Sequence, residues 1–143
     1  MIDILDPFFP AEEHAVVSNA TASSETRRWG ERRFRISINR NLLNKSADNV
    51  WLGKGFQSRL VTINELASEI TSGHAYSFEY ENDRRSKKSF RAADFISVDI
   101  DNGLTLDEAK SIPIVAQCAS IIYTTASHTE AAHRFRIVFA LAR

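Results

Sequence analysis

Three short, largely apolar runs in the second half of the chain leave it few ways to fold. Phe95 to Ile100 (Phe-Ile-Ser-Val-Asp-Ile), Ser120 to Thr125 and Arg134 to Leu141 read as strands, each bounded by polar or turn-forming residues. Between the first two, Thr105 opens a helix, and Glu108 three residues later completes a capping box. Pro113 predicts a break or bend in that helix. Ala126 to His133 is a polar connection. Strand–helix–strand–strand is the first part of a split β-α-β unit.

The first half is less regular. Residues 11–20 suit a short helix after Pro10, and Arg32 to Asn39 alternates with Phe34, Ile36 and Ile38 on one face, as in a half-buried strand. Residues 41–61 read as loop. A helix over 62–72 follows, capped by Thr62 with Glu65, striped by Ile63, Leu66, Ala67 and Ile70, and ended by Gly73. His74 to Tyr80 reads as a strand and 81–93 as a polar, basic connection. Trp29 and Trp51 are assigned to core or domain packing.

Composition excludes several classes. With 143 residues the chain is one compact domain or a piece of one, and 43% hydrophobic and 25% charged residues are ordinary for a globular fold. The single cysteine, Cys118, permits no intrachain disulfide framework. The acid- and proline-bearing N-terminus is unlike a signal peptide, and no apolar run is long enough for a membrane span, so a cytoplasmic location away from membranes is expected.

Lys+Arg and Asp+Glu both total 18, but the charges are segregated. Six arginines and one acid lie between Arg27 and Arg40. Arg84, Arg85, Lys87, Lys88 and Arg91 form a second basic block without an acid. Ala92 to Ala109 then carries Asp94, Asp99, Asp101, Asp107 and Glu108 and no basic residue. Charge runs can be plain solvated faces. Two basic blocks preceding an acidic one also suit a polyanion held over a metal site, with Arg84, Arg85, Lys87, Lys88 and Arg91 as nucleic-acid contacts.

Asp99 and Asp101 are the sharpest chemical feature. Alternation puts both on one face of the strand, with Val98 and Ile100 directed into the core. Two such carboxylates, about 7 Å apart along a strand, repel unless a cation lies between them. Their hard oxygens suit Mg²⁺ or Mn²⁺ with substrate phosphates completing the shell. An Asp-x-Asp also arises where no metal binds. Ser127 and His128 follow the second apolar strand and reach the same end if the strands share a sheet. The imidazole is then a phosphate contact, or else an ordinary loop histidine. Arg134 and Arg136 alternate against Phe135 and Ile137, as phosphate ligands or as the exposed face of an edge strand.

Phe-Ile-Ser-Val-Asp-Ile-Asp-Asn-Gly-Leu-Thr, then Ile-Ile-Tyr-Thr-Thr-Ala-Ser-His-Thr, then His-Arg-Phe-Arg-Ile-Val-Phe resembles the archaeo-eukaryotic primase superfamily. The likeness is to the primase–polymerase domains of plasmid and phage replication proteins, and it covers roughly residues 73–143. It implies an α/β (α+β) fold, a mixed sheet like that of the RNA-recognition motif. Residues 1–72 would be an N-terminal α/β segment packing on the core, and 73–143 the first part of the catalytic core, cut after its third strand. It implies a nucleotidyltransferase that makes primers on single-stranded DNA. Asp99 and Asp101 would hold Mg²⁺ or Mn²⁺, and Ser127 and His128, with Arg134 and Arg136, would meet the triphosphate. Its partners would be nucleoside triphosphates, a single-stranded DNA template and a fused or separate helicase. The family's third acid has no counterpart: Glu130 is the only acid after His128 and lies in a loop, so this segment alone is expected to be weak or inactive.

Two other readings compete. A nucleic-acid-binding or assembly module without catalysis fits the missing acid. Val98 to Thr105 also resembles the first motif of haloacid-dehalogenase-type phosphatases, with Asp99 as nucleophile, although only Lys110 and no later acidic pair follows.

Overall fold

The computed structural model describes residues 2–4, 31–42 and 52–141. The helix expected at 11–20 and both tryptophans lie outside them. In chain order the elements are β1 (Ile2–Ile4), β2 (Phe34–Asn39), β3 (Gln57–Val61), α1 (Ile63–Thr71), β4 (Ala75–Ser77), β5 (Glu79–Tyr80), β6 (Phe90–Ala92) and β7 (Phe95–Ile100). Then come α2 (Leu106–Ser111), α3 (Pro113–Cys118), β8 (Ile121–Thr124) and β9 (Phe135–Ala140). The result is a mixed α/β fold with several antiparallel sheets and few helices.

The principal sheet has the order β1-β8-β9-β7. β9 runs antiparallel to both β7 and β8, so β7 and β8 point the same way with β9 inserted between them. That is the split arrangement expected from the order of elements. β1 adds in parallel to β8. A second sheet, β3-β2-β4, is wholly antiparallel, and β5 pairs with β6 as a separate ribbon.

Each face of the principal sheet has its own core. Phe95, Ile121 and Val138 point one way and pack on Phe34, Ile36, Ile38 and Val61 of the second sheet and on Leu66 and Ala67 of α1. Ile122, Phe135 and Ile137 point the other way onto Ala109 of α2, Val115 of α3 and Ala119 at its C-terminal cap. The two layers meet through a buried lock at the start of β7. The backbone N–H of Arg35 donates to Asp94 Oδ2 at 2.9 Å, and its guanidinium donates to both carboxylate oxygens at 3.2 and 3.3 Å.

Local chemistry sets the helix ends. Thr62 and Thr105 both cap through their hydroxyls while Glu65 and Glu108 reach back to the capping N–H, which holds both glutamates below the usual carboxylate range. α1 closes with a Schellman pair, Gly73 N–H to the Ile70 carbonyl and His74 N–H to that of Glu69, with Gly73 at φ +75°. Pro113 begins α3 where its missing N–H costs nothing, so the expected bend is a clean break after Ser111.

Several expectations are corrected. Residues 57–61 form an edge strand, because the backbone of β2 needs a partner although Gln57, Ser58 and Arg59 are polar and exposed. β2 itself is buried on both faces: Ser37 and Asn39 are enclosed, Ser37 Oγ accepts from Tyr80 N–H, and Asn39 Nδ2 donates to the Lys54 carbonyl. The strand expected at 74–80 is two short ones with different partners. Residues 81–93 contain turns and β6. Val98 does not enter the core: it is 39% exposed and Ile96 50%, because β7 is the edge strand and the core under α2 and α3 lies over β8 and β9, taking only Ile100 from β7.

Candidate functional site

Strand register determines what meets at the site. Ile100, Phe135 and Thr124 lie level across β7, β9 and β8. Asp101, Arg134 and the loop carrying Ser127 and His128 therefore leave the same end of the sheet. One residue inward, Asp99, Arg136 and Tyr123 form a row across the three strands. The structure thus brings the sequence candidates Asp99, Asp101, Ser127, His128, Arg134 and Arg136 to one sheet end. It leaves Arg84, Arg85, Lys87, Lys88 and Arg91 on the separate 81–92 segment, all exposed.

Asp99 and Asp101 are not equivalent. The cation beside Asp99 is a guanidinium: Arg136 Nε donates to Asp99 Oδ1. Asp101 lies beyond the strand, exposed, next to a turn in which Gly103 takes φ +77°. Arg136 is not on an edge strand, because β9 is central; it is half-buried and also donates from Nη1 to the Tyr123 hydroxyl at 3.0 Å. Burial opposes its charge, but the Asp99 hydrogen bond and the phenols around it more than offset that, and its pKa is raised.

The row continues into the second sheet. Tyr123 shares a hydrogen bond of 3.0 Å with the Tyr76 hydroxyl, which also lies 3.0 Å from Ser97 Oγ. Burial, reinforced by Tyr76, pushes the Tyr123 phenol well above its usual range, and Arg136 pulls back less strongly. Sequence reading missed Tyr76, Tyr123 and Ser97 as a polar unit. Their only local signal is that Ser97 alternates with apolar Ile96 and Val98.

His128 is half-buried and oriented. Its Nδ1 accepts from the Arg134 backbone N–H at 3.0 Å, so the neutral ring carries its proton on Nε2. Its ring stands edge-on to His133 at 5.1 Å. His133, the last residue of the polar 126–133 connection, accepts at Nδ1 from Leu106 N–H and ties this loop to the start of α2. Ser127 and Arg134 are exposed, and Arg134 makes no ion pair among the described residues.

The acidic window is largely committed. Asp94 holds Arg35, Asp99 holds Arg136, and Glu108 caps α2. Among the described residues no three His, Cys, Asp or Glu side chains converge on a metal position. The donor set still suits a hard divalent ion that takes one or two carboxylates and completes its shell with phosphate oxygens: Asp99 Oδ2 accepts no hydrogen bond from the described residues, and Asp101 is open. No family model, no curated protein and no solved structure matches the chain, so its own residues carry the functional reading. Among the described residues no helix is long and apolar enough to cross a membrane.

Proposed function

We propose that this sheet end is the nucleotide site of a metal-dependent nucleotidyltransferase of the primase–polymerase type, acting on single-stranded DNA. The observation that carries it is the register placing Asp99, Asp101, Arg134 and the Ser127–His128 loop at one end of a split β-α-β sheet. Arg134 and the Nε2–H of His128 supply donors for phosphate oxygens. Arg136 orients Asp99 through its Nε–H. Mg²⁺ or Mn²⁺, held by Asp99 and Asp101, would neutralise a triphosphate and activate an attacking hydroxyl. The carboxylates would bring the ion to the nucleotide, and the basic 84–91 segment would hold template.

The expected result is nucleoside-triphosphate binding that requires Mn²⁺ and disappears in Asp101→Ala, a substitution at an exposed position that leaves thermal stability unchanged. Binding that is indifferent to metal, or that survives Asp101→Ala, refutes the reading. The capture of Asp99 by Arg136 favours a second reading, a binding module without catalysis. That reading requires affinity for single strands to persist in Asp101→Ala without any nucleotide binding. Hydrolysis of a generic phosphomonoester, lost in Asp99→Asn, would instead support the phosphatase alternative.

A further inference from the structure

The two basic blocks have opposite fates. In the first, Arg33 donates to the Leu60 carbonyl, Arg35 is locked to Asp94 and Arg40 is paired with Glu69. Those side chains hold the fold together. In the second, Arg84, Lys87, Lys88 and Arg91 are exposed and make no ion pair among the described residues, while the Arg85 guanidinium lies 5.9 Å from the centre of the Phe56 ring. The acids just before this block, Glu81 and Asp83, sit in the preceding turn. There Asn82 and Asp83 adopt φ of 57° and 52°, and Phe56 N–H and Arg85 N–H bond across to Asp83 and Gly53 carbonyls. The segment is therefore anchored, not a loose tail.

In its midst stands Phe90, 49% exposed. A single exposed phenylalanine is common, but this one is held in place. It meets Phe78 edge-on at 5.9 Å and Tyr80 at 6.3 Å, and β6 fixes its backbone opposite Tyr80. Phe78 in turn packs on Phe95, and Phe95 on Tyr76, whose hydroxyl belongs to the Asp99–Arg136–Tyr123 row. A continuous set of rings thus runs from the basic segment to the candidate site.

We infer that Phe90 is a stacking platform for a base of a single-stranded polynucleotide whose phosphates are held by Lys87, Lys88 and Arg91. Aromatic faces interleaved with cations are what single-strand binding requires: the ring takes any base, and the cations follow the backbone. A duplex, whose bases are already stacked, gains only the charge contribution. The inference rests on the nucleic-acid half of the function proposed above and is independent of the metal half.

The test is binding of the purified protein to a fluorescent oligo-dT strand, to oligo-rU, to the duplex and to an abasic strand of equal length, all in EDTA without nucleotide. Phe90→Leu, which keeps apolar packing and removes the aromatic face, is expected to weaken binding to the intact strands about 5- to 100-fold. Phe90→Trp restores it. The wild-type protein should prefer intact to abasic strand by the same factor, and Lys87→Gln with Lys88→Gln should weaken both alike. Equal wild-type affinity for intact and abasic strands, or the same Phe90→Leu loss on abasic strand or duplex, overturns the inference. Because metal and nucleotide are absent, loss of Mn²⁺-dependent nucleotide binding leaves this result untouched, and the converse also holds.

Discussion

Replacing Tyr123 with phenylalanine tests the polar row that organises the candidate site. The substitution removes one hydroxyl that accepts from Arg136 at 3.0 Å and bonds Tyr76 at 3.0 Å. Arg136 keeps Asp99 and Tyr76 keeps Ser97, so neither is orphaned. With the partners still satisfied, the loss at pH 8 is about 1–2 kcal/mol, or roughly 3–8 °C in Tm for a domain of this size. The alkaline limb is more decisive. Burial raises the folded-state pKa of Tyr123 above the ordinary value. The stabilisation it gives is therefore complete below about pH 10, where an unfolded tyrosine is neutral, and is lost as pH rises beyond that. At pH 11 the unfolded phenol is mostly ionised while the folded one is not, which removes about 1.4 kcal/mol from the wild type. The variant has no such group to titrate. Urea unfolding of both proteins at pH 8, 9.5 and 11 should show the wild-type advantage shrinking toward zero at the highest pH. A gap constant within about 0.3 kcal/mol across that range would mean that Tyr123 titrates alike in both states, and the buried row would be wrong.

Asp94→Ala should destabilise far more than its single charge suggests. Arg35 loses three hydrogen bonds at once, for about 2–3 kcal/mol after allowance for partial exposure of the guanidinium; a calorimetric Tm within about 2 °C of wild type refutes the lock. Glu69 is bonded by Arg40 and His74, with Arg40 the larger influence on its lowered pKa. A depressed carboxylate stabilises above its unfolded pKa and loses that contribution as pH falls through the folded one. The stability difference between wild type and Glu69→Gln should therefore be present at pH 6 and diminish on acidification below the ordinary carboxylate range. A difference that does not change with pH contradicts the pairing.

What was legible in the sequence was local. Both capping boxes, the break at Pro113, the stop at Gly73 and the alternation of β7 and β9 depend on residues within a few positions of one another. What was hidden depends on strand order. Arg136 could be an edge-strand cation or a site residue until β9 is known to lie between β7 and β8. The Arg35–Asp94 lock and the Tyr76–Tyr123 bond join residues 59 and 47 positions apart, so no window along the chain contains them. β3 was missed because an edge strand with polar side chains carries no alternation; the unsatisfied backbone of its neighbour creates it. Val98 was misplaced for a related reason. Alternation shows which side of a strand a residue takes, but not whether anything covers that side.

The pairing of Asp99 with Arg136 changes how the Asp-x-Asp motif can work. Two bare carboxylates would attract a divalent ion through their own charges, and its binding would relieve their mutual repulsion. Here half of that attraction is already satisfied by a guanidinium, which repels any second cation. Each unit-charge pair at 4 Å is worth between about 1 kcal/mol in water and about 4 kcal/mol at an effective dielectric of 20. Asp101, exposed and past the strand end, is then the stronger attractor, and Asp99 offers its remaining oxygen. On the function proposed above, a triphosphate would bring the negative charge that this arrangement lacks, shared among Arg134, Arg136 and the metal. If the function proposed above holds, the ion and the nucleotide would bind together, each poorly without the other, and the site would take a metal–nucleotide complex more readily than a free cation.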